Sequence, residues 1–392
     1  MASIKLKGDT SGELTIQAPA VAGTNTLDLP ASSGTLLTTT GDGSQLTGLP
    51  NSYAGTKNRI INGNMRIDQR NAGASVTPAN GGYTLDRWQT YINPLGKYTV
   101  QQDAGAVTPP VGFTNYLGAT STSSYSITSG DYFSITHNIE GYNIADLAWG
   151  TADAKTVTIS FWVRSSLTGT FGGALRNSVA NRSYPFSYTI SVANTWEQKT
   201  ITIPGDTTGT WVTDNGKGVA LLFGLGVGST RSGTAGSWAA ANYISSTGAT
   251  SVVGTSGATL YITGVQLEVG DTATDFENLQ YGQQLAMCQR YFEIMGSSGS
   301  TSNGYAVCAV ISSTLTRGNL WFKTEKRATP TITVAGTWYS LPQSITASAS
   351  FFPSNTYNTG IGQTWSGLTV GQASYLYDGG SGTSRVLISA EL

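Results

Sequence analysis

The sequence predicts an all-β protein: a short-strand N-terminal segment, a jelly-roll-like β-sandwich, one connecting helix and a small C-terminal β domain. Three observations lead there. Many short runs alternate apolar and polar residues with period two, the pattern of half-buried strands. Stretches rich in Gly, Ser, Thr and Asn separate those runs and supply turns. One segment alone carries apolar residues at helical spacing.

Residues 1–57 form the first division. Ile4-Lys5-Leu6-Lys7, Leu14-Thr15-Ile16-Gln17 and Leu27-Asp28-Leu29 read as short strands bounded by turn signals. They hold too little apolar mass for a core of their own, so partners are expected to cover their edges. Thr38 to Ser44 reads as a linker. Residues 58–277 form the sandwich. Val157, Ile159, Phe161 and Val163 fall on one face of a strand, with Thr158, Ser160 and Trp162 on the other. Tyr132–Thr136, Trp196–Ile203 and Leu260–Leu267 read the same way, and Ile144–Trp149 reads as a helical turn or two. Residues 278–303 hold the helix and a linker. Tyr281, Leu285, Cys288 and Phe292 are spaced four, three and four apart, so a helix is expected over 278–293, its stripe lying on the sandwich in preference to a subunit axis. Residues 304–392 return to strands at 306–311, 331–334 and 386–388.

The chain has 392 residues, 21 Lys+Arg against 22 Asp+Glu, and only 11% charged residues. Gly (49), Ser (43) and Thr (56) together exceed a third of it. A surface of hydroxyls, amides and glycine cannot displace counterions from phosphates, which excludes a nucleic-acid partner. The longest nearly apolar run, Val219 to Val227, is far short of the ~20 residues of a bilayer span, so no membrane insertion is expected. The opening Met1–Thr10 shows no apolar signal-peptide core, so synthesis in the cytoplasm and reduced thiols at Cys288 and Cys308 are expected. A composition suited to an exterior without an export signal is reconciled by a virus particle.

Chemistry-bearing residues are few. A single histidine, His137, excludes His-rich zinc sites, and two separated cysteines cannot build a structural zinc site, so neither metal nor cofactor is expected. His137 sits in a strand without a nucleophile motif and reads as structural. Gly224-Leu225-Gly226-Val227-Gly228 is followed by no βαβ unit and reads as strand, not phosphate cradle. Asn181-Arg182-Ser183 matches a glycosylation sequon, but without an export signal it reads as chance. Asp86, Asp131, Glu140, Glu268, Asp271, Asp275 and Glu277 supply carboxylates for a glycosidase pair. A carboxylate clustered at a strand end more often ties down a loop, and the expectation is no enzyme. Most of Trp88, Trp149, Trp162, Trp196, Trp211 and Trp238 belong in the core. Exposed rings suit sugars, whose C–H faces stack on aromatics while neutral amides and hydroxyls bond the hydroxyl groups.

Four stretches resemble bacteriophage tail-fibre proteins with a carbohydrate-binding-module-like sandwich. They are Asn58 to Arg70 (NRIINGNMRIDQR), Tyr83 to Trp88 (YTLDRW), Ile262 to Gly270 (ITGVQLEVG) continuing through Thr274 to Glu277, and Leu285 to Phe292 (LAMCQRYF). Leu29 to Leu36 resembles fibre-shaft repeats, and Lys326 to Thr333 with Ala390-Glu391-Leu392 resembles the family's C-terminal domain. The resemblance implies a homotrimer in the virion tail, anchored on a tail or baseplate protein through residues 1–50 and meeting host surface polysaccharide at its distal end. It implies structural roles for Asp86-Arg87-Trp88 and Gln266-Leu267-Glu268, which hold strand ends together. The chain departs from long fibres in having almost no shaft, and from depolymerising tailspikes in lacking β-helix repeats. With residues 1–50 at the tail, the C-terminal domain is the receptor-binding tip. Its large aromatics Trp338, Tyr339, Tyr357, Trp365, Tyr375 and Tyr377 are the glycan-binding candidates. The reading is a structural, glycan-binding tail fibre; the alternative is a polysaccharide-degrading tailspike enzyme or its binding module.

Overall fold

A computed structural model describes residues 3–7, 12–17, 56–296, 304–336, 338–341, 345–347, 349–364, 366–378 and 385–392. The chain divides into two compact units, Met1–Asn51 and Ser52–Leu392. In the first, Ser3–Lys7 and Glu13–Gln17 pair as an antiparallel hairpin, Ile4 opposite Ile16 and Leu6 opposite Leu14. The expected strand at Leu27–Leu29 and the linker at Thr38–Ser44 lie outside the described residues.

Among its described residues the second unit is all-β with one α-helix. Two five-stranded antiparallel sheets make the sandwich. One runs Glu197–Ile203, Val157–Ser165, Thr259–Val269, Leu117–Ser121, Tyr98–Gln102. The other runs Trp88–Asn93, Tyr132–Glu140, Lys217–Val227, Gly169–Asn177, Ser183–Ile190. Alternation decides which residues meet between them. Val157, Ile159, Phe161 and Val163 from the first sheet and Phe133, Ile135, Leu221 and Phe223 from the second are all fully buried. Phe161 and Phe223 join the layers edge to face, ring centroids 5.0 Å apart. Burying such side chains stabilises by roughly 1.5–3 kcal/mol each, which makes this the dominant core.

Trp88, Trp149 and Trp211 belong to that core, and Trp238 packs against it. Trp149, Trp211 and Trp238 lie mutually edge to face, with centroids 4.8 to 5.5 Å apart. Ile144–Trp149 contributes a single 3-10 turn, Ala145–Leu147.

The helix is shorter than its stripe suggests: Tyr281–Gln289, with a capping box between Gln280 and Gln283. Phe292 is not on it; it opens the strand Phe292–Gly296. The helix stops where the backbone joins a sheet: Tyr291 O accepts from Ala390 N and Phe292 pairs with Ser389, while the side chains of Arg290 and Tyr291 are held from a distance. Arg290 donates to both oxygens of Glu140, and the Tyr291 hydroxyl donates to Glu140 at 2.5 Å. Cys288 and the exposed Tyr281 therefore share only part of the expected seam. Cys288 packs with Ile61, Ile67 and Tyr291 against the sandwich. Both cysteines are free and buried, and burial pushes the Cys308 thiol up to about 11.

Beyond the helix lie a three-stranded and a seven-stranded sheet. The small one places Arg385–Ser389 between Phe292–Gly296 and Thr331–Ala335. The larger runs Ile345–Ala347, Trp338–Leu341, Ala373–Asp378, Gly304–Ser312, Leu315–Trp321, Asn358–Thr364, Ala349–Ser354. Their shared core includes Met295, Leu320, Ile361, Leu376, Val386 and Ile388.

Candidate functional site

The four stretches that carry the family resemblance converge in space, and they act as a frame. Asn58 uses its whole amide: Oδ1 accepts from the backbone of Ile60 and Leu267, and Nδ2 donates to Val265 O. Gly63 is needed where it stands, since a Cβ there would lie 2.1 Å from Val265 O. Asn62 Nδ2 donates to the carbonyls of Ile67 and Asp86. Arg87, fully buried and in a left-handed conformation (φ 71°), pairs with Glu391, and its Cζ lies 3.6 Å from the Tyr291 ring centroid. Glu268 accepts from Thr274 N and Oγ1 and from Gln266 Nε2, pinning the chain after its strand.

Two more of the nominated carboxylates, Asp131 and Glu277, are similarly engaged. Asp131 accepts from Thr128 N and the Tyr125 hydroxyl. Glu277 accepts from the backbone amides of Lys57 and Asn58. Asp271 and Asp275 are exposed and offer main-chain oxygens, to Thr202 and Lys57 respectively. His137 is fully buried, edge-on to Trp88 at 5.1 Å, with Nε2 3.0 Å from Ile61 O. Burial holds its pKa well below the usual imidazole value, so the ring is neutral. Among the described residues no group of His, Cys, Asp and Glu is arranged to hold a metal ion.

Asp86 is the exception in its electrostatics. It is completely buried, and burial raises its pKa to about 7 although Gln69 donates to it through N and Nε2. Because the folded value lies above the unfolded one near 3.8, folding takes up a proton between them. Its stabilising contribution is complete below about pH 4 and is lost as pH rises through 7, by about 1.4 kcal/mol per unit. A carboxyl carbon titration by NMR should place the Asp86 midpoint near 7, and Asp86→Asn should flatten the fall in melting temperature between pH 4 and 7. A midpoint in the ordinary carboxylate range refutes this.

The aromatic set nominated at the C-terminal tip is only partly gathered. Tyr375 and Tyr377 stack, centroids 6.4 Å apart and planes 20° apart. Tyr339 is the register partner of Tyr377, and Trp338 that of Asp378; the side chains of Trp338 and Tyr339 lie outside the described residues. Trp365 lies outside the described residues altogether. Tyr357 is 54% exposed on the turn between Ala349–Ser354 and Asn358–Thr364, away from the tyrosine pair in strand order, and a hydrogen bond with Glu325 raises its phenol pKa. Alternation puts Trp321, absent from the set and 66% exposed, on the same sheet face as Val307 and Tyr375.

Sequence reasoning missed a groove at one end of the sandwich, about 540 Å³ in volume. Three separated segments line it: Tyr125 to Ser129, Val227 to Ser229, and Ala249, Ser251 and Gly254. Its polar lining is hydroxyl and backbone, with no charged side chain. Asp131 fixes one wall by holding Tyr125 and Thr128, and the Lys97 ammonium lies 4.6 Å from the Tyr125 ring centroid. The Gly/Ser/Thr composition was the only local signal for it, and that signal is spread over the whole chain.

No protein-family model matches the sequence, and no curated protein matches it. Among solved structures, a CBM4 module is similar over 54% of this chain and 99% of its own, at 15% identity and TM-score 0.29. The enzymatically active domain of tailspike protein 4 of bacteriophage CBA120 is similar over 50% of this chain and 21% of its own, at 12% identity and TM-score 0.28. A family 11 carbohydrate-binding module from Clostridium thermocellum, solved with a β-1,3-1,4-mixed-linked tetrasaccharide, is similar over 51% of this chain and 96% of its own, at 13% identity and TM-score 0.25.

Proposed function

We propose that the chain is a glycan-binding structural protein of a phage tail fibre, acting in adsorption and not as an enzyme. The observation that carries the glycan reading is the groove. It has the scale of a short oligosaccharide, an aromatic ring in its wall, and neutral hydroxyl and backbone groups where sugar hydroxyls need partners. Of the carboxylates nominated for hydrolysis, Glu140, Glu268 and Glu277 are spent on a guanidinium, loop hydroxyls and backbone amides, which supports binding over cleavage. The virion setting rests on the resemblance of the four framing stretches to tail-fibre proteins.

The experiment is retention of host surface polysaccharide by the purified chain, with reducing ends assayed in parallel. Retention without release is the expected result; release of reducing ends instead assigns a tailspike-like enzyme. Tyr125→Ala should weaken retention by about tenfold. If it does not, while alanine at Tyr357, Trp365, Tyr375 and Tyr377 together does, the receptor surface is the C-terminal tip.

Homotrimerisation and docking on a tail protein belong to the same proposal. Among the described residues the Ser3–Lys7/Glu13–Gln17 hairpin is a two-stranded sheet, and a lone hairpin is marginal in water. Light scattering of the intact chain should give three copies; a stable monomer at micromolar concentration refutes trimerisation.

A further inference from the structure

The outer face of the second sandwich sheet gathers positive charge that nothing in the described chain neutralises. Register fixes the arrangement. Arg176 lies opposite Ala220, Ala174 opposite Leu222, and Tyr91 opposite Ser134, two residues from Tyr132 on the same strand face. Ala174, Ala220, Leu222 and Ile244 form a low apolar floor, with Tyr91 and Tyr132 packed on it. Three cations attend those rings. The Arg176 guanidinium carbon lies 5.3 Å and the Lys217 ammonium 5.9 Å from the Tyr91 ring centroid, and Arg231 lies 5.8 Å from that of Tyr132.

None of the three forms an ion pair among the described residues, although seven other cations do. Arg176 is the telling one. It is only 6% exposed; Nη1 donates to Asn242 Oδ1 at 2.6 Å, while Nε has no partner. The groups that act on its charge are Tyr91, Tyr132 and Arg231, with no carboxylate among them, and burial lowers its pKa. A buried guanidinium without a counter-charge is costly, and an arriving anion offsets that cost. The rings, Lys217, Arg231 and Asn242 are half-buried, so the face is open to a ligand.

We propose that this face binds an anionic saccharide, with the sugar ring lying against Tyr91 and Tyr132 and its acidic oxygens held by Lys217 and Arg231 above Arg176. The tyrosines distinguish it from a bare anion site, because C–H faces of a sugar stack on them as an inorganic ion does not. Three cations suit one acidic group, not a polyphosphate backbone. The low overall charge of the chain favours a neutral glycan on average, yet local placement selects an acidic one here. The proposal rests on reading the chain as a glycan binder but not on the groove, whose lining it does not share.

The test is calorimetric titration of the full chain with tri-galacturonate, the matching neutral tri-galactoside and inorganic phosphate, with added salt as a further axis. Tri-galacturonate should bind at least about tenfold more tightly than the other two, and rising salt should weaken it. Lys217→Ala with Arg231→Ala should remove that preference, and Tyr91→Ala should weaken the acidic sugar about tenfold without changing phosphate binding. All three substitutions are at half-buried positions, and a melting curve checks that each variant is folded; Arg176→Lys serves as a further variant that keeps the charge. Equal affinity for acidic and neutral trisaccharides overturns the proposal, as does a preference that survives in the double variant. Phosphate binding as tightly as the uronate reduces the face to a simple anion site and overturns the saccharide assignment. If groove-dependent retention of polysaccharide persists while the uronate preference is absent, this proposal fails alone; if both are absent, the glycan reading fails with it.

Discussion

Replacing Arg87 with methionine should cost about 3–5 kcal/mol of folding free energy, the usual penalty for removing one partner of a buried ion pair. Arg87 has no exposure, and Glu391, which lies far along the chain, is its counter-charge. Burial works against the Arg87 charge, but Glu391, Tyr291 and Tyr83 outweigh it and hold the guanidinium pKa above its ordinary value. Its Nη2 also donates to the carbonyl of Asn138. Methionine leaves Glu391 with only Arg70, at 2.8 Å, and leaves Asn138 O without that donor. Neighbouring contacts should loosen together: Tyr83 donates its hydroxyl to Leu392 O, and Arg327 donates to the carbonyls of Ala390 and Glu391. Denaturant unfolding should show the lost stability, and limited proteolysis should cut first near 385–392. Arg87→Met combined with Glu391→Gln should be less destabilised than the single change. A single variant within about 1 kcal/mol of the parent would show that the pair holds little.

A comparable loss is expected at Lys326. Its Nζ donates to Glu293 Oε2 and to Gln289 O, both at 2.6 Å, and neither charged side chain has any exposure. Burial outweighs the attraction of Glu293 and lowers the Lys326 pKa, which means the pair sits in a poorly solvated environment. Lys326→Met leaves Glu293 with only the Lys323 amide, at 3.1 Å, for compensation and should cost about 3–5 kcal/mol. Lys326→Met with Glu293→Leu removes both charges and should recover most of the loss, since apolar replacement of a whole buried pair is often neutral. Unfolding curves for the two single variants and the double variant decide the matter. If the double variant is as unstable as Lys326→Met, packing rather than charge set the cost.

The fold was legible wherever a local pattern reports burial. Val157, Ile159, Phe161 and Val163 alternate in sequence and all face the core, because a strand's side-chain period is two whatever it pairs with. The end of the helix was not legible. Continuing the stripe to Phe292 was reasonable locally, but Arg290 and Tyr291 are held by Glu140, and Phe292 pairs with Ser389. Both partners are remote in sequence. The structural roles of Asp86, Arg87 and Glu268 came from the resemblance; their partners came only from the structure. The candidate surfaces divide in the same way. Tyr375 and Tyr377, two apart on one strand, announce a shared face. The groove draws on three segments, and the Tyr91, Arg176 and Arg231 face on separate strands and a loop, so no window of sequence contains either.

The position of Arg385–Ser389 bears on how the chain is made. This strand is the middle of its sheet, bonded on one side to Phe292–Gly296 and on the other to Thr331–Ala335. Translation delivers both outer strands first, and neither has the other as a neighbour. Until residues 385–389 leave the ribosome, two strands wait with unpaired backbone edges and with Met295 and Ile332 deprived of Val386 and Ile388. Such edges are templates for pairing between nascent chains. A chain cut short before Arg385 is therefore expected to aggregate, whereas one that includes Ser389 can close the sheet from its centre.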